Sequence, residues 1–211
     1  MSYDTRECHP NVVEVNPMSV DTRESRLERR IAELYATDEQ FAAARPDVAV
    51  TAEVERAGRR SARVVHAVAK GYAHRPALGQ RAVDYITDPR TGRTSMELLP
   101  RYETLTYREV WERAGAIASA LAGNPVRAGD RVCILGFASV DYTTIDMALT
   151  RLAAVSVPLQ TGAPAERLRP IIAETEPTVL AASIDHLDDA VTAVLAGHLP
   201  ARLIVFDYHP R

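Results

Sequence analysis

Two hydrophobic periods divide the chain. From Glu24 the apolar residues recur at helical spacing, with Leu27, Ile31, Leu34 and Tyr35 forming a stripe and arginines and glutamates on the other face. Arg45-Pro46 predicts the end of this arm, because proline pushes the residue before it out of the α region. A second helix is predicted over Ser61 to Tyr72, with Val64, Val65 and Val68 inward and Gly71 serving its C-terminus. The period then shortens. Pro76 to Gln80 and Val83 to Ile86 read as strand, Asp88-Pro89-Arg90-Thr91-Gly92 as turn, and Glu97 to Thr104 as a second strand, which predicts a hairpin.

Leu105-Thr106-Tyr107-Arg108-Glu109-Val110 carries the strongest local signal. The Thr106 hydroxyl can accept from the Glu109 backbone N–H while the Glu109 carboxylate accepts from that of Thr106. Leu105 and Val110 supply a hydrophobic staple for this capping box. The helix so started places Val110, Trp111, Ala114, Ile117, Ala118 and Leu121 on one face and ends near Gly123-Asn124-Pro125. Beyond it, Arg131 to Leu135 reads as a buried strand. A helix follows with Ile145, Ala148, Leu149 and Leu152 on one face, then a strand from Val155 that ends at Pro158-Leu159. Pro164 opens a further helix, Val179 to Ala181 is a strand, Asp185 to Ala196 a helix and Arg202 to Phe206 a strand. Residues 105–206 therefore alternate helix and strand through short links, which predicts an α/β fold with a parallel sheet and flanking helices. The sequence ends five residues after Phe206, so the fold is expected to be incomplete.

The beginning holds a near-repeat: Met1-Ser2-Tyr3-Asp4-Thr5-Arg6-Glu7 returns as Met18-Ser19-Val20-Asp21-Thr22-Arg23-Glu24. Seven residues are too few for a structural repeat, and Met18 is read as the true start, with 1–17 an extension without helical period. Composition alters little. The 46% apolar and 25% charged residues are those of a globular chain, and a net charge of −3 argues against nucleic acid as a partner. Lys70 is the only lysine, which codon bias toward arginine explains. Cys8 and Cys133 form neither a disulfide framework nor a metal pair, so a cytoplasmic setting is the default. No apolar run approaches the ~18 residues of a membrane span, and the polar, acidic first residues do not read as a signal peptide.

Catalytic constellations are not apparent. There is neither G-x-G-x-x-G nor G-K-[ST] among the ten glycines. Gly136 follows a strand and precedes a helix, where a phosphate turn is geometrically conceivable and a plain strand-to-helix turn is the preferred reading. His9, His66, His74, His186, His198 and His209 lack zinc spacing. His186 beside Asp185, Asp188 and Asp189 is read as a solvated helix start, with acids favoured by the dipole. Ser139, Ser156 and Ser183 lack a nucleophile-elbow setting, Glu174 and Glu176 read as surface charge, and Trp111 as core.

Two segments resemble signature motifs of the adenylate-forming superfamily: Leu105-Thr106-Tyr107-Arg108-Glu109-Val110, and Leu149-Thr150-Arg151-Leu152-Ala153-Ala154-Val155-Ser156-Val157-Pro158-Leu159. Gly129-Asp130-Arg131-Val132 between them also fits. Arg29 to Ala36, Gln40 to Ala44, Gly71 to Gln80 and Gly136 to Tyr142 look like the N-terminal part of actinobacterial carboxylic acid reductases, whose mycobacterial members are often labelled fatty-acid–CoA ligases. The superfamily usually has Gly where this chain has Ala153, and an added methyl there crowds the turn if the position needs positive φ.

The resemblance implies an incomplete N-terminal subdomain of an adenylate-forming enzyme, preceded by a helical arm. The implied plan is a disordered extension over 1–17, the arm over 18–50, and the first portion of an adenylation domain, truncated, over 51–211. In the complete family enzyme, ATP and Mg2+ activate a fatty or aromatic carboxylic acid as acyl-AMP. A phosphopantetheine thiol then takes the acyl group, and NADPH reduces it to the aldehyde. The family's phosphate loop, acyl-pocket His, Mg-binding Glu, ribose-binding Asp and mobile-subdomain Lys match no position here. No catalytic, cofactor-binding or metal-binding residue is therefore assigned, and none of these groups is expected to bind this chain tightly. The alternatives are part of a stand-alone acyl-CoA ligase, or a scaffold remnant whose open sheet edge invites aggregation.

Overall fold

The computed structural model describes residues 22–58 and 60–208. The predicted extension over 1–17 lies outside the described residues. Backbone contacts divide the chain into two units, Met1–Pro46 and Asp47–Arg211.

In the first unit, α1 (Arg23–Thr37) starts where the Thr22 hydroxyl accepts from Ser25 N, and α2 (Glu39–Ala43) where the Asp38 carboxylate accepts from Phe41 N. The Tyr35 and Phe41 rings pack at 4.8 Å, and the Arg45 guanidinium lies 4.1 Å from the Tyr35 ring centre. The predicted apolar stripe is present but does not form a core: Leu27 is 58% and Ile31 37% exposed.

The second unit opens with α3 (Val48–Ala57), which the hydrophobic pattern missed. The Asp47 carboxylate caps it, accepting from Ala49 N and Val50 N. The predicted second helix is α4 (Ser61–Gly71). Gly71 does not adopt positive φ; it is small because a Cβ there would sit 2.3 Å from Val50 Cγ2, so the glycine sets the approach of α4 to α3. The hairpin is formed by β1 (Pro76–Thr87) and β2 (Thr94–Thr106), paired antiparallel from Pro76↔Thr106 to Thr87↔Thr94, with an irregularity between Arg81 and Val83. Thr106 then caps α5 (Tyr107–Leu121) through the predicted box, with Thr106 N donating to Glu109 Oε2 at 2.7 Å and Glu109 N to Thr106 Oγ1 at 3.3 Å.

The alternating part folds as predicted, into a four-stranded parallel sheet in the order β4-β3-β5-β6. The strands are β3 (Arg131–Leu135), β4 (Val155–Leu159), β5 (Val179–Ser183) and β6 (Arg202–Phe206). The helices between them are α6 (Val140–Leu152), α7 (Ala165–Thr175) and α8 (Leu187–Leu195). Alternate residues of β3 face opposite layers. Cys133 and Leu135 pack against Leu168 and Ile172 of α7 and Ala190 and Ala193 of α8. Val132 and Ile134 pack against Leu121 of α5 and Ile145 and Leu149 of α6. Two-sided burial is what makes β3 and β5 continuous apolar runs. As read from the sequence, β4 closes at Pro158-Leu159, with Pro158 opposite Ile134; among the described residues β4 is an outer strand, where a sheet tolerates a residue without an N–H. Pro164 is the N-cap of α7 rather than its first helical residue, and Pro170 is accommodated within that helix.

Candidate functional site

The strand order fixes where a ligand-sized crevice must open. From β3 the chain crosses to β4 on one side and then returns past β3 to β5 on the other, so the loops after β3 and β5 diverge at the C-terminal sheet edge. In open α/β sheets this switch point is where ligands bind. A crevice of about 1560 Å³ lies there, lined by Phe137, Ala138 and Ser139 after β3, Ile184 and Asp185 after β5, and Asp207 after β6. The hairpin supplies its other wall, including Gln80, Arg81, Tyr85, Met96 and Leu98. Its volume exceeds the ~300–1,000 Å³ usual for a small-molecule pocket, and its apolar lining is exposed. Phe137 is 70%, Met96 60% and Tyr208 63% exposed. The hairpin side chains of this wall escaped sequence reading because alternation within β1 and β2 does not tell which face the sheet helices leave uncovered.

The start of α6 borders this crevice through Ser139, Val140 and Thr143, and the protein itself occupies two of its first-turn N–H groups. Ser139 Oγ accepts from Tyr142 N at 3.1 Å, and Gln80 Oε1 accepts from Val140 N at 3.1 Å, tying the hairpin to the helix start. The Thr143 hydroxyl donates to Ser139 O at 2.9 Å. At Gly136 a Cβ would lie 2.6 Å from Phe206 Cζ and 3.1 Å from Ser183 Cβ. Gly136 is thus a close-packing glycine under the Phe206 ring and makes no phosphate cradle. Beyond β6, Asp207 takes φ 53° and donates its N–H to Asp141 Oδ2 at 3.2 Å. Phe206 meets Tyr142 edge-on at 6.2 Å, and burial together with the Asp146 charge pushes the Tyr142 hydroxyl pKa up.

The other singled-out residues are scattered. His186 lies in a short 3-10 turn, its ring 5.5 Å from that of Phe137 and its Nε2 buried without a hydrogen-bond partner. Asp188 and Asp189 sit in the first turn of α8. Ser183 is buried at the end of β5, and Ser156 Oγ on β4 is buried without a partner. Glu174 and Glu176 are exposed at the end of α7. Burial pushes the Cys133 thiol up, and the Thr175 hydroxyl 3.6 Å away only partly opposes it, which disfavours a thiolate nucleophile. Trp111 and Lys70 lie on α5 and α4, away from the crevice, and Trp111 is half-buried rather than core. Among the described residues, no group of three or more His, Cys, Asp or Glu could hold a metal ion.

Comparison with known proteins gives this scaffold a family. Residues 67–207 match the family model of the AMP-binding enzymes. The carboxylic acid reductase of Mycobacterium tuberculosis is 62% identical over 187 residues, which are 88% of this chain and 16% of that protein. The adenylation domain of the Segniliparus rugosus carboxylic acid reductase, solved with AMP and a co-purified carboxylic acid, is 49% identical; the match covers 87% of this chain and 29% of that one, with a TM-score of 0.76. The adenylation domain of the Mycobacterium chelonae carboxylate reductase is 44% identical over 93% of this chain and 30% of its own, with a TM-score of 0.78. The chain therefore spans about a sixth of the length of the curated relatives it matches and under a third of the solved adenylation-domain chains it resembles. The hairpin, the capped α5 and the four-stranded sheet are part of an adenylation fold, and the chain belongs to the AMP-binding enzymes as a homologue of part of a carboxylic acid reductase.

Proposed function

We propose that this chain is the N-terminal scaffold of an adenylation domain that joins a fatty or aromatic carboxylic acid to AMP from Mg-ATP, releasing pyrophosphate. The observation that carries the reading is the 49% identity and TM-score of 0.76 to a reductase adenylation domain that holds AMP and a carboxylic acid. Thioester transfer to phosphopantetheine and reduction by NADPH belong, on this reading, to other parts of the full-length polypeptide. The chemistry runs in a cytosolic setting, in keeping with the reduced, buried Cys133. Among the described residues no helix is long and apolar enough to cross a membrane.

The residues present do not fit ATP and Mg2+ by themselves. The turn at Gly136 is filled by Phe206, and α6 spends first-turn amides on Ser139 and Gln80. No step of the reaction is therefore assigned to a side chain of this chain. What these residues do is build the parallel sheet and hold the hairpin against α6, so that the crevice at the switch point keeps its shape.

The test is a chimera in which this chain replaces the matching part of the Mycobacterium chelonae adenylation domain. It should catalyse acid-dependent exchange of labelled pyrophosphate into ATP, whereas this chain alone should not. A soluble, folded chimera without exchange overturns the reading, and exchange by the chain alone overturns the scaffold role.

A further inference from the structure

A second cleft, of about 870 Å³, lies away from the sheet edge, between α3, α4, Trp111 of α5 and the end of α6. Its charge is one-sided. Arg56, Arg63, Lys70 and Arg151 line it against a single carboxylate, Glu53, in a chain whose net charge is −3. Glu53 is already paired with Arg56 at 2.7 Å. Among the described residues no carboxylate lies within ion-pair distance of Arg63, Lys70 or Arg151. Arg63, Ala67 and Lys70 fall at i, i+4 and i+7 of α4, so both cations and an apolar residue share one face of that helix.

Arg151 is held in place before any ligand arrives. Its guanidinium lies 4.1 Å from the Trp111 ring centre, and Nη1 donates to Trp111 O at 3.3 Å. Gly115, inside α5, makes room for it: a Cβ there would lie 3.3 Å from Arg151 Nη2. Glycine inside a helix costs about 1 kcal/mol relative to alanine, and an alanine here would press on the guanidinium by a few tenths of an ångström. The rest of the lining is mostly small and apolar, with Ala49, Val50, Ala57 and Ala62, and adds His66, whose ring lies 5.3 Å from that of Trp111. Several cations, with Arg151 held in place, around a largely apolar floor and in a volume within the small-molecule range are the features of a site for an anion that carries an apolar body.

We propose that this cleft binds a small organic phosphate whose anionic group meets Arg63, Lys70 and Arg151 and whose apolar body lies against the alanine and valine floor. The proposal is independent of the adenylation reading, because it uses none of the crevice residues.

The test follows the fluorescence of Trp111, the only tryptophan, as phenyl phosphate is added to the full chain. A saturable change is expected. The double variant Arg63→Gln/Lys70→Gln, with both substitutions on exposed positions of α4, should bind at least about tenfold more weakly with an unchanged circular dichroism spectrum. Phenol, which lacks the charge, and inorganic phosphate, which lacks the body, should each bind at least about tenfold more weakly than phenyl phosphate. The Gly115→Ala variant should also weaken binding, since it displaces the Arg151 guanidinium while favouring the helix. No saturable change with the unaltered chain, or a double variant within about twofold of it, overturns the site. Inorganic phosphate binding as tightly as phenyl phosphate overturns the apolar half of the proposal.

Discussion

Replacing Ala153 by glycine should stabilise the protein, and the structure sets the size of the effect. Ala153 has φ 54° and ψ 32°, the left-handed conformation, immediately after α6. The bonds around it form a Schellman motif: Ala153 N donates to Thr150 O at 3.3 Å and Ala154 N to Leu149 O at 3.0 Å. Its own carbonyl is fixed by Gly129 N at 2.8 Å, so the backbone cannot relax without losing that bond. The Ala153 methyl is exposed, so no packing is lost with it. An L-residue in this conformation costs roughly 1–2 kcal/mol. Glycine returns part of that through its greater freedom in the unfolded chain, about 0.4–1 kcal/mol. The balance is a gain of about 0.5–1 kcal/mol. In urea that moves the midpoint up by roughly 0.2–0.5 M with an unchanged slope, and Tm up by about 1–4 °C. Ala153→Val should move both the other way, because a β-branched side chain is a true outlier at positive φ. A glycine variant no more stable than the parent, at equal slope, refutes the claim that Ala153 is strained.

Four other outcomes follow from particular contacts. Gly136→Ala should cost about 1–3 kcal/mol by urea denaturation, since its Cβ would overlap the Phe206 ring at 2.6 Å. Leu149→Ala, at a fully buried position under β3, should cost about 2–5 kcal/mol in the same assay. Thr106→Ala removes the α5 cap and should cost about 1 kcal/mol. It should also make the acid limb of the stability curve slightly shallower, by the hydroxyl's share alone, because the alanine variant keeps the backbone N–H that donates to Glu109. The backbone N–H of Thr106, followed by its hydroxyl, holds the Glu109 carboxyl below its ordinary 4.5, so that contribution is present above 4.5 and lost as pH falls through the lower folded value. Finally, β6 is one of the two outer strands of the sheet among the described residues, with Leu203 and Val205 partly exposed, so Val205→Lys should reduce concentration-dependent association measured by light scattering.

The parts of the fold that were legible share a property: each is specified by residues near one another in sequence. Thr106 and Glu109 are three apart and cap the same helix end, so the box could be written down before any coordinates. Strands β3, β4 and β6 stand where their apolar runs placed them; burial on both faces makes β3 apolar throughout, while β4 and β6, at the two sides of the sheet, are only partly covered. Helix α3 was missed because it is short and carries no continuous apolar stripe, its start resting on a single capping aspartate, Asp47; α2 lies inside the predicted arm, and what went unread there is the break at the Asp38 cap. The arm misled in the opposite sense, since Leu27 and Ile31 repeat at helical spacing and yet stay exposed.

Sequence alone thus determined the α/β alternation, the hairpin, the Thr106 capping box and, through two motifs, the resemblance to adenylate-forming enzymes. Tertiary structure decided what the small and unusual residues are for. Gly136 is small because of Phe206 and Gly71 because of Val50, partners that no local pattern names. Pro158 is tolerated because β4 lies outermost. The cleft at Arg151 exists because Trp111 and Gly115 of one helix meet the end of another. Periodicity and capping are written over a few neighbouring residues, whereas close approach and convergent charge depend on which distant segments the sheet order brings together.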